Sequence, residues 1–553
     1  MKPFCLFGIL LCLLACQSWE SISFTKPPEI ISNAHSAAPL TAYLDFSTDK
    51  PYQKVIVSLS DGDKTSALTY DFSEKTENGY LLMLMKPNHR YSIEIQLENE
   101  QGQQTTIGSP VFYTPPPLPE GDREFPRIVV GQLEASEMEG GLTLINPRRQ
   151  IPRSVPDANK LNKSFGMLAM INAVGEVLWY YKTDSRISDF DLLPNGHISY
   201  MTQDSRIREI DFAGNIIAQW YAKNRHEGPD PEAIPVDALT FHHDVSLLPN
   251  GHRLALSSEY REVEGYYSSG RDANAPRKTQ QVMGDIVVEF TPDGEIVHQW
   301  NCFDHLPVYR IGYETFSGYW ERRGFPGVID WSHANAVIAV PGEEAFLVNF
   351  RYQSAMIKVD KSSGDIQWIF AEPSAWGKDL EEKLLQLPPG EAPWHQHSPH
   401  FTRNGNLLFF NNNNYQARPF ETTVDIRKSP SFVVEYEIDL EKRTARKVWT
   451  SEIEGEEPII SVAMGRVSEL PQTGNILAGY GAIVSQANLD EMDWWNRAQF
   501  RMWTMVREYT HTFPATVVWE LRVLPRHEES PVGWTLFGAE RIPLSFYSET
   551  SSD

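Results

Sequence analysis

The sequence is short of four things, and each shortage removes a class of explanation. Cysteine is the first: of four in 553 residues, Cys5, Cys12 and Cys16 crowd the N-terminus and Cys302 stands alone. A disulfide framework and a cysteine-built metal site are thereby excluded for the body of the chain, and Cys302 is expected as a small buried apolar residue. Basic charge is the second: 49 Lys and Arg face 73 Asp and Glu, a formal charge of -24. Nucleic-acid binding needs a concentrated basic surface, so that class falls away. An anionic small molecule would have to be met by a local positive pocket working against the global field. The third shortage is of long apolar runs: the candidate, Phe4 to Ala15, is too short to span a bilayer. The fourth is of Walker glycines and dense Asp/Glu clusters, which argues against nucleotide- or metal-driven phosphoryl transfer.

What is present begins with an aromatic-rich composition, including 15 Trp, that belongs to a folded chain long enough for two or three domains. The N-terminal run reads as a secretory signal. Its end, "LLAC" at Cys16, resembles the bacterial lipobox, so residues 1–15 are expected as a lipoprotein signal peptide, Cys16 as the lipidated residue and residues 16–22 as a tether. Gln17, not Asp, follows the cysteine, which points to the outer membrane. The expected location is therefore periplasmic, with membrane contact only through the lipid.

Residues 23–114 carry short alternating runs such as "KVIVSLS" and "YSIEIQLE", the pattern of a small β-sandwich. Pro115, Pro116, Pro117 and Pro119 then stiffen a linker over residues 115–126. From residue 127 to residue 553 the chain repeats itself. One half of the unit is an apolar strand, a tight turn and another strand ("LLPNGH" at Leu192–His197 and again at Leu247–His252); Asn-Gly favours turns in which both residues have positive φ. The other half is a hairpin ending near Trp: Trp220, Trp300, Trp368 and Trp449, with Trp179 and Trp519 in fragments at either end. Four-stranded sheets with open edges are accommodated by radial packing, so the fold class is all-β: a six-bladed β-propeller preceded by a small N-terminal β-sandwich, its ring closed by a blade shared between the two ends of the repeat region.

Aligned on the turn phrase, the inner strands carry Ser188, His243, His333, His397 and, approximately, Gly465 at one position. Inner strands line the central channel, so three imidazoles converge there. A structural repeat has no need of a titratable ring in some copies and Ser or Gly in others, which makes the column a functional candidate. His242 neighbours His243 and should face the other way. His395 is expected at the rim, while His197 and His252 sit in the repeated turn as structural residues. Arg351, at the end of the strand after His333, brings an unneutralised guanidinium inward, and Asn335 shares the face of His333. The cluster has no obvious partner carboxylate, although Asp244 adjoins His243. Arg351 opposes a dication, so an oxyanion suits the set better than a metal: Arg forks onto two oxygens, imidazole and amide donate to others, and one neutral imidazole is free as a nucleophile. No metal or cofactor is called for.

The segments "HHDVSLLPNGH", "DWSHANAV", "NFRYQSA" and "WHQHSPHF" followed by "NGNLLFFNN", in this order, resemble the bacterial arylsulfate sulfotransferases over residues 125–524. The resemblance implies a secreted enzyme that needs no nucleotide sulfate donor, with a β-sandwich ahead of a six-bladed propeller. It also implies ping-pong transfer of a sulfuryl group from an aryl sulfate to a phenol through a sulfohistidine. The match puts that nucleophile at His397, with His243, His333, Arg351 and Asn335 holding the sulfuryl and phenolic oxygens. The partners it implies are small aryl sulfates and phenols; a homodimer is left open. Two departures stand out. Members of the family often have a disulfide near the site, which this chain cannot form, and Ala334 replaces a hydroxyl residue found in some relatives. Trp331, Trp394, Tyr352 and Tyr415 are candidates for the wall of a phenol pocket. The competing readings are a non-catalytic ligand-binding or scaffold propeller lipoprotein of the outer membrane, which needs no histidine column, and a metal-dependent lactonase or esterase, which needs acidic ligands in the ring.

Overall fold

The computed structural model describes residues 22–543, so Cys16 and the expected signal peptide lie outside the described residues. Residues 24–113 form two antiparallel sheets, one of three strands and one of five. Lys54–Ser60 shows why they pack: Val55, Val57 and Leu59 alternate inward, the period of a half-buried strand. Phe24–Ser32, which carries Pro27 and Pro28, lies at a sheet edge, where missing N–H donors are tolerated. This domain shares its core with the first two sheets of the next, through Leu44, Tyr80, Trp179 and Tyr200 among others.

The rest is a ring of six sheets. Their inner strands, in order, are Ala539–Ile542, Ile187–Leu192, Val245–Leu247, Ala334–Ala339, His397–Phe401 and Arg466–Glu469. The first blade takes its inner strand from the far end of the chain: Ala539–Ile542 pairs with Leu142–Ile145. The sixth blade takes its outermost strand from the near end, Arg127–Leu133 against Val517–Leu524. Both ends of the repeat region are thus locked into neighbouring blades.

The recurring tryptophans explain themselves as staples. All six lie on the fourth strand of a blade, and five donate the indole N–H to a carbonyl in the outer turn of the next: Trp179 to Phe212, Trp220 to Pro292, Trp300 to Gly364, Trp449 to Thr512, and Trp519 across the closure to Ala173, at 2.8–3.0 Å. A second set of contacts stitches the inner strands. Glu540 accepts from the Leu192 amide (3.1 Å), Asp189 from Val245 (3.1 Å), Asp244 from Val337 (2.7 Å) and Ser398 from Val467 (3.2 Å). Between the fourth and fifth blades Asn335 donates to the Gln396 carbonyl (3.0 Å). The turn phrase is a simpler device than the sequence suggests. Gly196 and Gly251 have positive φ, but Asn195 and Asn250 do not; their side chains accept from the amides of His197 and His252 instead. Those histidines bond Glu209 and Glu289 at 2.7 Å.

Replacing Trp519 with Phe keeps the ring packed and removes the staple at the closure. Urea unfolding is expected to show a loss of about 1–3 kcal/mol, the cost of an unpaired buried carbonyl and lost area; an unchanged midpoint would mean that the staple contributes nothing.

Candidate active site

The aligned residues come to the axis from separate blades at points where the backbone leaves the regular strand. His243 and His333 have left-handed φ (63° and 49°), as do His395 and Ser398 on either side of His397. The register slips between Ala334 and Ala336 and between His397 and His400. Bulges and left-handed non-glycine residues carry strain and recur where a side chain has to be aimed. In the sixth blade the column holds Gly465 at φ 128°, where an added Cβ would meet the Phe410 ring at 2.6 Å. That blade supplies space, not a side chain.

The geometry separates the paired histidines. His242 is buried, its Nε2 set against the Ser257 carbonyl (3.0 Å) and Asp285 (3.3 Å), while its Nδ1 meets Nδ1 of His243 at 2.9 Å. His243 is half-buried, with its ring 4.8 Å from that of His333. His333 stacks on Tyr352 at 4.2 Å and meets Tyr319 edge-on at 4.6 Å.

Two buried partners set the protons. Asn412 donates its amide hydrogens to the carbonyls of Ser461 (2.7 Å) and Met464 (3.0 Å), which can only accept. Its Oδ1 is thereby turned to His397 Nδ1 at 2.6 Å, so Nδ1 carries the hydrogen and the lone pair falls on Nε2. Burial and the Arg351 charge hold His397 well below the usual imidazole range, keeping it neutral. His333 has the opposite partner: Asp330 Oδ2 lies 2.6 Å from its Nδ1. Burial, reinforced by Asp285, raises Asp330 well above the usual carboxylate range, and burial and Arg351 lower His333. The pair therefore shares one proton, held by Asp330 and donated to Nδ1, which leaves the N–H on Nε2 of His333. The expected lack of a partner carboxylate is corrected here. Asp330 and Asp285 supply it, while Asp244 is a strut to the next blade.

Arg351 is buried and reaches the group, but it is not unneutralised as its sequence neighbours suggested: Glu314 pairs with it and also with Arg497, and the Val462 carbonyl accepts at 3.3 Å. Two guanidinium groups share one carboxylate, which leaves a net positive centre. Asn335 lines the channel beside His397, with its amide bound to Gln396 and Asn349. His395 is not at the rim: it is 2% exposed, lies 5.0 Å from the Tyr415 ring, and has an Nε2 without a hydrogen-bond partner among the described residues. Of the four aromatic candidates, Tyr352 and Tyr415 bound the site, whereas Trp331 is blade packing, stacked on Phe303 at 5.0 Å. Cys302 is buried and free, its sulfur accepting from the Asp285 amide at 3.1 Å.

A cavity of about 570 Å³ opens beside this group, walled by Tyr313, Tyr415, Trp494, Trp495 and several arginines. None of the three aligned histidines lines it. It meets them through Arg351, since Glu314 and Val462 stand in its wall. Among the described residues no group of three or more His, Cys, Asp and Glu is placed to hold a metal ion, and no helix is long and apolar enough to cross a membrane.

This arrangement, neutral imidazoles around a positive centre with aromatic walls, suits an aromatic ester of an oxyanion. Comparison with known families decides the matter. The profile of the arylsulfotransferase (ASST) family matches residues 128–512, and that of the arylsulfotransferase Ig-like domain matches residues 29–115. The chain belongs to the arylsulfotransferase family. Aryl sulfotransferase activity is thus its general assignment. No curated protein sequence matches it. Among solved structures, a protein of unknown function from Bacteroides caccae is 11% identical, with a TM-score of 0.38, over 72% of this chain and 98% of that one. The WD40 β-propeller domain of Doa1 is 9% identical at a TM-score of 0.30, over 78% and 91%. With both scores below 0.5, the fold is read from its own strand pairing.

The candidate site also contains residues that sequence reasoning passed over: Asp330, Asn412, Glu314, Tyr319 and Arg497. Asp330 stands three before His333 and was legible in principle; the others come from loops without a repeat counterpart.

If Asn412 sets the state of His397, Asn412→Asp places a negative charge on its Nδ1 and raises its pKa by about one unit or more. Nitrogen-15 spectra of labelled histidine, followed against pH, are expected to show wild-type His397 neutral and Nδ1-protonated at the ordinary imidazole value of 6.5, and double protonation setting in at a higher pH in the variant than in the wild type.

Proposed function

We propose that this arylsulfotransferase moves a sulfuryl group from an aryl sulfate to a phenol by a ping-pong route through a sulfohistidine at His397. The observation that carries the reading is the pair of unlike Nδ1 contacts, Asn412 Oδ1 at 2.6 Å from His397 and Asp330 Oδ2 at 2.6 Å from His333, from which a bare Nε2 on His397 and a protonated Nε2 on His333 are inferred.

In the first half-reaction the Nε2 lone pair of His397 attacks sulfur and the sulfur–oxygen bond to the aryl group breaks. His333 gives its Nε2 proton to the departing phenolate as Asp330 passes its own proton to Nδ1, so the dyad ends as carboxylate and neutral ring. In the second half-reaction the acceptor phenol returns a proton along the same path, its oxygen attacks sulfur, and the nitrogen–sulfur bond breaks. Arg351 and His243 border the space where sulfuryl and phenolic oxygens gain charge, and a preorganised guanidinium and a neutral imidazole donor there lower the barrier. The Asn335 amide keeps one N–H for that space after its bond to Gln396.

Location follows from residues outside those described. We propose a periplasmic enzyme held at the outer membrane by a lipid on Cys16, a reading that rests on the "LLAC" sequence.

The test is transfer from 4-nitrophenyl sulfate to phenol by the purified protein, with and without chelator. The wild type is expected to transfer in both. His397→Ala is expected to abolish transfer, and His243→Ala or Arg351→Ala to raise the barrier by about 3–4 kcal/mol, the worth of an oxyanion donor. Full activity in His397→Ala would remove the nucleophile assignment, and loss of activity with chelator would favour a metal-dependent hydrolase.

A further inference from the structure

Six arginines have no ion-pair partner among the described residues: Arg153, Arg186 and Arg271, which line the cavity, and Arg148, Arg322 and Arg323, which do not. In a chain of net charge -24 this is a local reversal of sign. Three of the six belong together. Arg148 and Arg186 each carry a buried Nε with no hydrogen-bond partner, and the side chain of Arg186, which lines the cavity, bonds nothing else among the described residues. Arg323 lies over the Tyr319 ring at 4.6 Å, and the Tyr319 hydroxyl is likewise buried without a partner. Burial and their mutual repulsion push Arg148 well down and Arg186 down to about 10, and no carboxylate offsets either.

The transferred sulfuryl group does not account for this charge. Arg351 and Arg497, sharing Glu314, already leave one net positive charge for one sulfate ester. The three further arginines lie close enough to repel one another, and Tyr319 ties them to the histidines: Arg323 lies over its ring at 4.6 Å and the His333 ring meets it at 4.6 Å. All three are half-buried; Arg148 has the Met464 sulfur and Arg323 the Gln203 carbonyl as acceptors, but none has a carboxylate, and half-buried cations left without a counter-charge are costly and persist where a ligand supplies it.

Resting on the sulfuryl-transfer reading, we propose that Arg148, Arg186 and Arg323 form a second anion subsite. It takes a carboxylate, sulfate or sulfonate across the aromatic ring from the transferred group, and the enzyme's preferred donors are doubly anionic aryl sulfates. Arg186 forks onto the oxygens, Arg148 and Arg323 set the field, and the Tyr319 hydroxyl donates.

The experiment is calorimetric binding of 4-sulfobenzoate and of benzenesulfonate, whose carbon–sulfur bonds prevent transfer. The wild type is expected to bind the dianion about tenfold more tightly or better, the worth of one charge-assisted contact, with a preference that falls as salt is added. Arg186→Gln and, separately, Arg323→Gln are expected to remove most of that preference while leaving benzenesulfonate within about twofold. Equal wild-type affinities for the two ligands, or equal weakening of both by Arg186→Gln, would overturn the subsite. The two readings fail separately. Transfer of sulfate without discrimination leaves the function and removes the subsite; discrimination without transfer does the reverse.

Discussion

The site depends on closure of the ring. No blade holds more than one of the three aligned histidines, so the reacting groups are neighbours only because six sheets meet around one axis. Closure in turn rests on two pairings between sequence extremes, Leu142–Ile145 with Ala539–Ile542 and Arg127–Leu133 with Val517–Leu524, and on the Trp519 staple that crosses the same seam. Such contacts recover their loop-closure entropy only when the whole ring has formed. The carboxylates that join successive inner strands belong to the same constraint. Asp189, Asp244 and Glu540 sit next to the site yet serve as struts, and burial with like charges nearby raises all three, Asp244 to about 6 and Glu540 to about 7.

Given the ring, the chemistry is set one layer behind the histidines. In the proposed reaction a column of identical imidazoles is divided into a nucleophile and an acid because Asn412 and Asp330 differ in what they can offer to Nδ1. The same low-dielectric setting that keeps the rings neutral makes any cation near them effective, and the protein concentrates arginine there against a strongly negative whole. Glu314 tempers that concentration by joining Arg351 to Arg497, so guanidinium geometry is held by a carboxylate and one positive charge is left over.

What could be read from the sequence follows the repeat. The histidine column was visible because "LLPNGH" and its variants gave a register, and the tryptophans were visible because each blade needs a staple to the next. Strand parity was the ground for separating His243 from His242, but both precede the strand Val245–Leu247, and His243 is turned by its left-handed φ instead. Parity failed where the strands bulge, which is why His395, expected at the rim, is buried against Tyr415. The partners of the column were hidden for a different reason. Glu314 and Tyr319 lie in an insertion before His333 that has no counterpart in other blades, and Asn412 hides in "NNNN", which reads as loop. Arg186 lines the cavity and Arg148 stands behind its wall on the Met464 sulfur, a meeting that closure of the ring creates.

The central claim is that His397 carries the sulfuryl group on Nε2. The most direct measurement is rapid quench of the enzyme with 4-nitrophenyl sulfate and no acceptor, followed by peptide mass spectrometry under alkaline conditions, where a nitrogen–sulfur bond survives. One SO₃ group is expected on the peptide containing His397, formed with a burst of nitrophenol and lost when phenol is added. An unmodified His397 peptide during steady turnover, or the group on another residue, would contradict the account.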